Sequence, residues 1–218
     1  MTAFFSGLQQ DFQIFWLAPL LCAMFRSVFI GVYHSKGSLA GKGKAVFHCF
    51  RYGFWWGMDF NAYVFLASFL LVTLPGVFWP AYYAAGDLVR VTGVTLYALV
   101  LYTAFWGKMI FYAHYHDIFN ELVWLGKNAE KHNLADVFFH ENHGALVLLS
   151  FVPFTILTVL LAEGLLALPN LVLPELSAAG TALLYGLGTL AAAAWFYFCR
   201  YGGTFWHDDK PEWDTIPS

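Results

Sequence analysis

Five stretches of mostly apolar residues, each about twenty long, have the length a helix needs to cross the hydrocarbon core of a bilayer. They run roughly Gln13–Tyr33, Gly53–Trp79, Val91–Ala113, Gly144–Leu168 and Ala178–Phe198. In lipid, a spanning segment must satisfy its own backbone polar groups, which restricts such runs to helices. The expected fold class is all-α integral membrane, a bundle of five transmembrane helices with amphipathic interfacial helices. Residues 1–199 are read as the transmembrane domain, and 200–218 as a tail or the start of a linker. Composition agrees, because 60% of the residues are hydrophobic and 11% are charged, against about 25% charged in a soluble domain. Trp16, Trp55, Trp56, Trp79, Trp106, Trp195 and Trp206 fall mostly near the ends of the runs, where indole rings favour the water interface. No Lys or Arg precedes the first run and no small-residue cleavage site follows it, so that run is expected to stay as an anchor.

Five crossings put the two long polar connections, His34–Tyr52 and His114–His143, on the same side as the tail. The other side holds Pro80–Arg90 and Pro169–Ser177, short apolar connections with proline that read as tight reversals. The chain is thus expected to have a polar working side and a bland side. A net charge of −3 leaves no broad basic surface, which argues against nucleic acid as a partner. Cys22, Cys49 and Cys199 are too scattered for a disulfide framework or a cysteine zinc site.

Charges within the runs sharpen the asymmetry. Arg26 is late in span one, Asp59 early in span two and Lys108 late in span three, so all three approach the working side. Ionisable groups at such depth mark function or pair with one another; the residues alone leave both readings open. On the bland side, Arg90 and Glu163 are expected to pair as a structural couple.

The glycine-rich run through Gly37, Gly41 and Gly43 has the wrong spacing for a phosphate loop, and Ala45 follows Lys44 where Ser or Thr is needed. What remains is a basic loop, Lys42, Lys44 and Arg51, that attracts anionic headgroups at about 1 kcal/mol per cation. His140 and His143 stand one residue closer than the zincin pair. His114 and Asp117, or His116 and Asn120, likewise can share a helix face. The set His114, His116, His140 and His143 therefore makes a metal- or haem-binding protein the alternative, with zinc, iron or manganese suited to imidazole and carboxylate. No nucleophile elbow or other complete catalytic set is present, so no catalytic residue is assigned.

Several of these features together resemble a known family. Arg26 with Phe29, the loop ending in Tyr52-Gly53, the start of span two at Gly57-Met58-Asp59-Phe60, and the run from Phe111 through His114, His116 and Asp117 to Asn120 are similar to the membrane region of lipoteichoic acid synthase-like phosphoglycerol and phosphoethanolamine transferases. Those enzymes belong to the alkaline phosphatase and sulfatase superfamily. The family often has an Arg just before the Asp of span two, where this chain has Gly57 and Met58. The resemblance covers nearly all of this chain but only the N-terminal part of a family member. It implies a five-helix domain in the bacterial inner membrane, followed by an extracytoplasmic catalytic domain with a Thr nucleophile and a divalent metal. That domain is expected beyond this chain, because the 20 residues after Phe198 cannot bury a core. The implied partner is a phospholipid headgroup, with Arg26, Lys42, Lys44, Arg51 and Lys108 neutralising its phosphate and Asp59 orienting the cations. His114, His116, Asp117 and Asn120 would line the rim or dock the catalytic domain. Counting Lys and Arg alone puts the working side in the cytoplasm; the resemblance puts it outside, and we follow the resemblance.

Overall fold

The computed structural model describes residues 2–33, 41–116, 136–172 and 176–201, and among them there is helix but no strand. The helices are α1 Thr2–Phe15, α2 Leu17–Tyr33, α3 Gly43–Ser68, α4 Leu74–Phe78, α5 Pro80–Ala84, α6 Gly86–Tyr115, α7 Gly144–Leu166 and α8 Ala178–Tyr201, with π-helical turns at Phe69–Thr73 and Val137–Glu141. Five segments are long and apolar enough to cross a membrane: Ala3–Tyr33, Gly57–Phe78, Gly86–Tyr115, Gly144–Leu166 and Ala178–Tyr201. The chain is an all-α multi-pass membrane protein.

Two boundaries differ from expectation. The first span begins at Ala3, not near Gln13, and runs for 31 residues with only Trp16 interrupting the helix assignment. The polar residues that break its hydropathy, Gln9, Asp11 and Gln13, are tolerated because each is hydrogen-bonded within the protein. The connection after span two is helical, not a bare reversal. Trp79 adopts an extended backbone and Pro80 opens α5, as suits a residue whose missing N–H is unneeded in the first helical turn.

Contacts divide the chain into two compact units, one of residues 1–94 with 161–218 and one of residues 95–160. In the larger unit, Phe4, Leu8, Phe15, Met58, Phe65 and Phe69 form the core with Ala192 and Cys199. Phe15 meets Trp195 edge to face at 5.3 Å between ring centroids. Helix α8 approaches α1 at Gly188, where a Cβ would stand 2.8 Å from the Phe4 ring; such close approach is what small residues supply between membrane helices. In the smaller unit, Tyr102 stacks on Phe154 at 4.0 Å with planes 8° apart, and its hydroxyl donates to Ser150 Oγ at 2.8 Å. Leu146, Leu149, Ile156 and Leu160 of α7 are exposed, the surface a bilayer covers.

The π-helical turn has an identifiable cause and a consequence. Pro75 has no N–H to offer the Leu71 carbonyl four residues back, and its ring would clash there in a regular helix. The turn relaxes just before the proline, and the Tyr82 hydroxyl donates to the Leu71 carbonyl at 2.6 Å. Ser68 and Thr73, five residues apart, would sit about 140° apart around a regular α-helix. The wider turn swings both towards α1, where each hydroxyl reaches Asp11.

Candidate functional site

At the bland end of the larger unit, α1, α6 and the π-helical turn enclose a charged cluster. Arg90 Nε lies 2.9 Å from Asp11 Oδ1, and the two side chains are 2% and 0% exposed. Ser68 Oγ donates to Asp11 Oδ1 at 2.6 Å and Thr73 Oγ1 to Oδ2 at 2.6 Å. Arg90 Nη2 donates to Thr73 Oγ1 at 2.7 Å and to the Gly7 carbonyl at 3.2 Å, while Nη1 stands 3.7 Å from the exposed carboxylate of Asp87. Gly7 admits this crossing, since a Cβ there would fall 2.9 Å from Thr73 Oγ1 and 3.3 Å from Arg90 Nη2. The expected Arg90–Glu163 couple is therefore corrected. Asp11 is the buried partner and Glu163 is exposed, because the guanidinium turns into the core, where four acceptor contacts replace water. One turn along α1, Gln9 exchanges hydrogen bonds with the Leu171 backbone at 2.7 and 3.2 Å, and Gln13 donates to the Leu168 carbonyl at 3.1 Å. The connection between α7 and α8 is thus tied to the first helix.

The working end carries its charge differently. Arg26 of α2 is half-buried, and the space a Cβ would take on Gly53 of α3 is filled by its guanidinium. The guanidinium lies 5.8 Å from the Phe50 ring centroid, within cation–π range. Pro19, Cys22, Gly57 and the buried Asn61 line the same pocket. Its free space is about 30 Å³, the room of one or two waters. Among the described residues no carboxylate lies within ion-pair distance of Arg26. Asp59 faces Arg200 of α8, with Nη1 3.5 Å from Oδ2, and Arg200 Nε donates to the Tyr63 hydroxyl at 3.1 Å.

The remaining sequence-derived residues distribute as follows. Lys42, Lys44 and Arg51 are exposed at and after the start of α3. Lys108 is exposed in the smaller unit. His114 at the end of α6 stands 3.5 Å from Glu141, and His140 stands 2.8 Å from Asp136. His116 and His143 each take a left-handed backbone, φ 52° and 51°, beside helix ends. Asp117 and Asn120 lie outside the described residues. Among the described residues no three His, Cys, Asp or Glu side chains group as a metal site. Sequence reasoning missed Asp11 and the Asp59–Arg200 pair. An acid with a glycine four residues before it on a long apolar helix was a usable signal for the first; nothing local marks the second.

Fold and site together define a multi-pass α-helical membrane protein with a compensated charge cluster at one end and, at the other, an arginine that has no carboxylate within ion-pair distance among the described residues. No family model, curated protein or solved structure matches the chain.

Proposed function

We propose that this chain is the membrane domain of a lipid-headgroup transferase of the phosphoglycerol or phosphoethanolamine type. It anchors an extracytoplasmic catalytic domain in the bacterial inner membrane and presents the phosphate of a phospholipid at its working end. The observation that supports this reading is Arg26. A guanidinium held within a membrane helix is costly unless an anion compensates it, and among the described residues the protein supplies none. The anion present at that depth in every bilayer is a lipid phosphate. Its oxygens fit the planar donor fork of arginine, and Gly53 leaves that fork room against α3. Lys42, Lys44 and Arg51 add long-range attraction for anionic headgroups. The divalent metal and the Thr nucleophile belong, on this reading, to the catalytic domain.

The test is lipid retention. The chain is purified in detergent with phosphatidylglycerol, and bound lipid is counted by native mass spectrometry for the wild type and for Arg26→Gln. Loss of one cation near the phosphate, about 1 kcal/mol, corresponds to about fivefold weaker retention, with thermal stability unchanged. Equal retention by Arg26→Gln would defeat the proposal.

A further inference from the structure

One side of α3 is buried along its later half and exposed along its earlier half. Met58, Ala62, Phe65 and Phe69 recur three or four residues apart and lie in the core with Ala192 and Cys199 of α8. Followed back along the helix at about 100° per residue, the same side continues as Phe54, Arg51, Phe47 and Lys44, all within an arc of about 80°. These four are exposed, Phe47 at 64% and Phe54 at 41%, although Phe54 stacks on Trp16. The cover runs out because α8 ends at Tyr201, with Arg200 held against Asp59 and Tyr63. Residues 43–56 of α3 precede the apolar span that begins at Gly57, and Lys44 and Arg51 make hydrocarbon an unfit cover for them.

We propose that the chain's own acidic tail, residues 202–218, docks on this exposed seam. The tail starts where the seam emerges. Helix α8 runs antiparallel to α3, since Phe196 meets Tyr63 while Arg200 reaches Asp59, so the chain leaves α8 in the direction of the start of α3. Along that helix Arg51 stands about 12 Å and Lys44 about 22 Å beyond the level of Asp59. Asp208 and Asp209, eight and nine residues past Arg200, reach up to about 26–32 Å when extended. Charge is complementary as well as near. Residues 41–58 hold Lys42, Lys44 and Arg51 and no acid, whereas the tail holds Asp208, Asp209, Glu212 and Asp214 against Lys210 alone. Phe205, Trp206 and Trp213 supply the apolar cover that Phe47 and Phe54 lack. Docked in this way, the tail fixes the direction in which the chain leaves the membrane.

The docking does not rest on the headgroup reading, and its test uses no lipid in the first arm. The full chain in uncharged detergent is treated with a water-soluble carbodiimide, which joins carboxylates to lysine amines in contact, and the linked peptides are identified by mass spectrometry. Lys42 or Lys44 should be joined to Asp208, Asp209, Glu212 or Asp214 within one chain. Arg51→Glu leaves the reacting groups in place and should lower the yield about fivefold or more, from about 1 kcal/mol per cation. Adding Asp208→Arg and Asp209→Arg to it should restore linkage through Glu212 and Asp214. Should Arg51→Glu fail to fold, a chain ending at Gly203 gives a second readout, in which Lys44 should be acetylated faster than in the full chain. No link within one chain, or a yield indifferent to Arg51→Glu, overturns the proposal. Links only between chains would give the seam to a second copy, and shielding of Lys44 only after phosphatidylglycerol is added would give it to the membrane; either result also overturns the proposal.

Discussion

Removing Asp11 tests whether the buried charge cluster is what seats the first helix. In Asp11→Ala, Arg90 keeps its charge, with its side chain 2% exposed, and retains neutral acceptors from Thr73 and Gly7 and only the longer, solvent-screened contact to the exposed Asp87 carboxylate at 3.7 Å. Loss of one partner from a buried ion pair costs about 3–5 kcal/mol. The two hydroxyl donors left behind add little, since hydrogen bonds between membrane helices average about 0.6 kcal/mol. The charge term decides the outcome, and the expected loss is about 3–5 kcal/mol. Arg90→Ala should cost a similar amount by stranding the carboxylate. The double variant strands neither charge and should be less damaging than the sum by more than about 1 kcal/mol, well beyond the roughly 0.5 kcal/mol scatter of independent sites. The assay is reversible unfolding in mixed micelles of increasing denaturing-detergent fraction, with tryptophan fluorescence as readout. A cost for Asp11→Ala below about 1 kcal/mol, the range of exposed pairs, or additivity of the two single variants, would refute the reasoning.

Tyr82→Phe removes the hydroxyl that serves the Leu71 carbonyl and should cost about 0.5–1.5 kcal/mol in the same unfolding assay; in a Pro75→Ala background, where residue 75 regains an N–H for that carbonyl, the cost should shrink. Gly188→Ala sets a methyl 2.8 Å from the Phe4 ring and should cost about 1–3 kcal/mol by overpacking, while Gly186→Ala, with nothing within 4 Å, should be neutral or slightly stabilising. Gly53→Ala places its methyl on the Arg26 guanidinium, so it should lower phosphatidylglycerol retention in the same direction as Arg26→Gln, measured by the same mass spectrometry.

Hydropathy made the five spans legible because each helix must satisfy its backbone alone, and that demand is written locally in the sequence. It misplaced the start of the first span because a window average treats Gln9, Asp11 and Gln13 as interruptions. Their partners, the connection at Leu168–Leu171 and Arg90, lie 79 to 162 residues away, beyond any local pattern. Choosing Glu163 for Arg90 used side and depth only, and those are shared by Asp11. What separates the two acids is burial, with Asp11 at 0% and Glu163 exposed, and burial is a property of the packed helices. At the working end, the cations Arg26, Lys42, Lys44 and Arg51 were legible as residue types. The fit of Arg26 over Gly53 was not, although a glycine within an aromatic helix facing a half-buried arginine is the pattern to seek.

The two arginines within spans show why residue type alone does not assign a role. Arg90 uses its donors in separate directions, Nε to a carboxylate and Nη2 to a hydroxyl and a carbonyl. A lysine is a point charge on a flexible stem and cannot reproduce that fork, so Arg90→Lys should lose stability nearly as Arg90→Ala does. Arg26 has the Phe50 face and the cleft over Gly53 around its guanidinium, with no fixed anion among the described residues. There the native fold makes little use of the fork, and Arg26→Lys should unfold like the wild type while holding a lipid phosphate less firmly. One end of the molecule has a charge whose ligand is the protein; at the other, no described carboxylate stands within ion-pair distance of the guanidinium, so the fold itself asks only for a cation there.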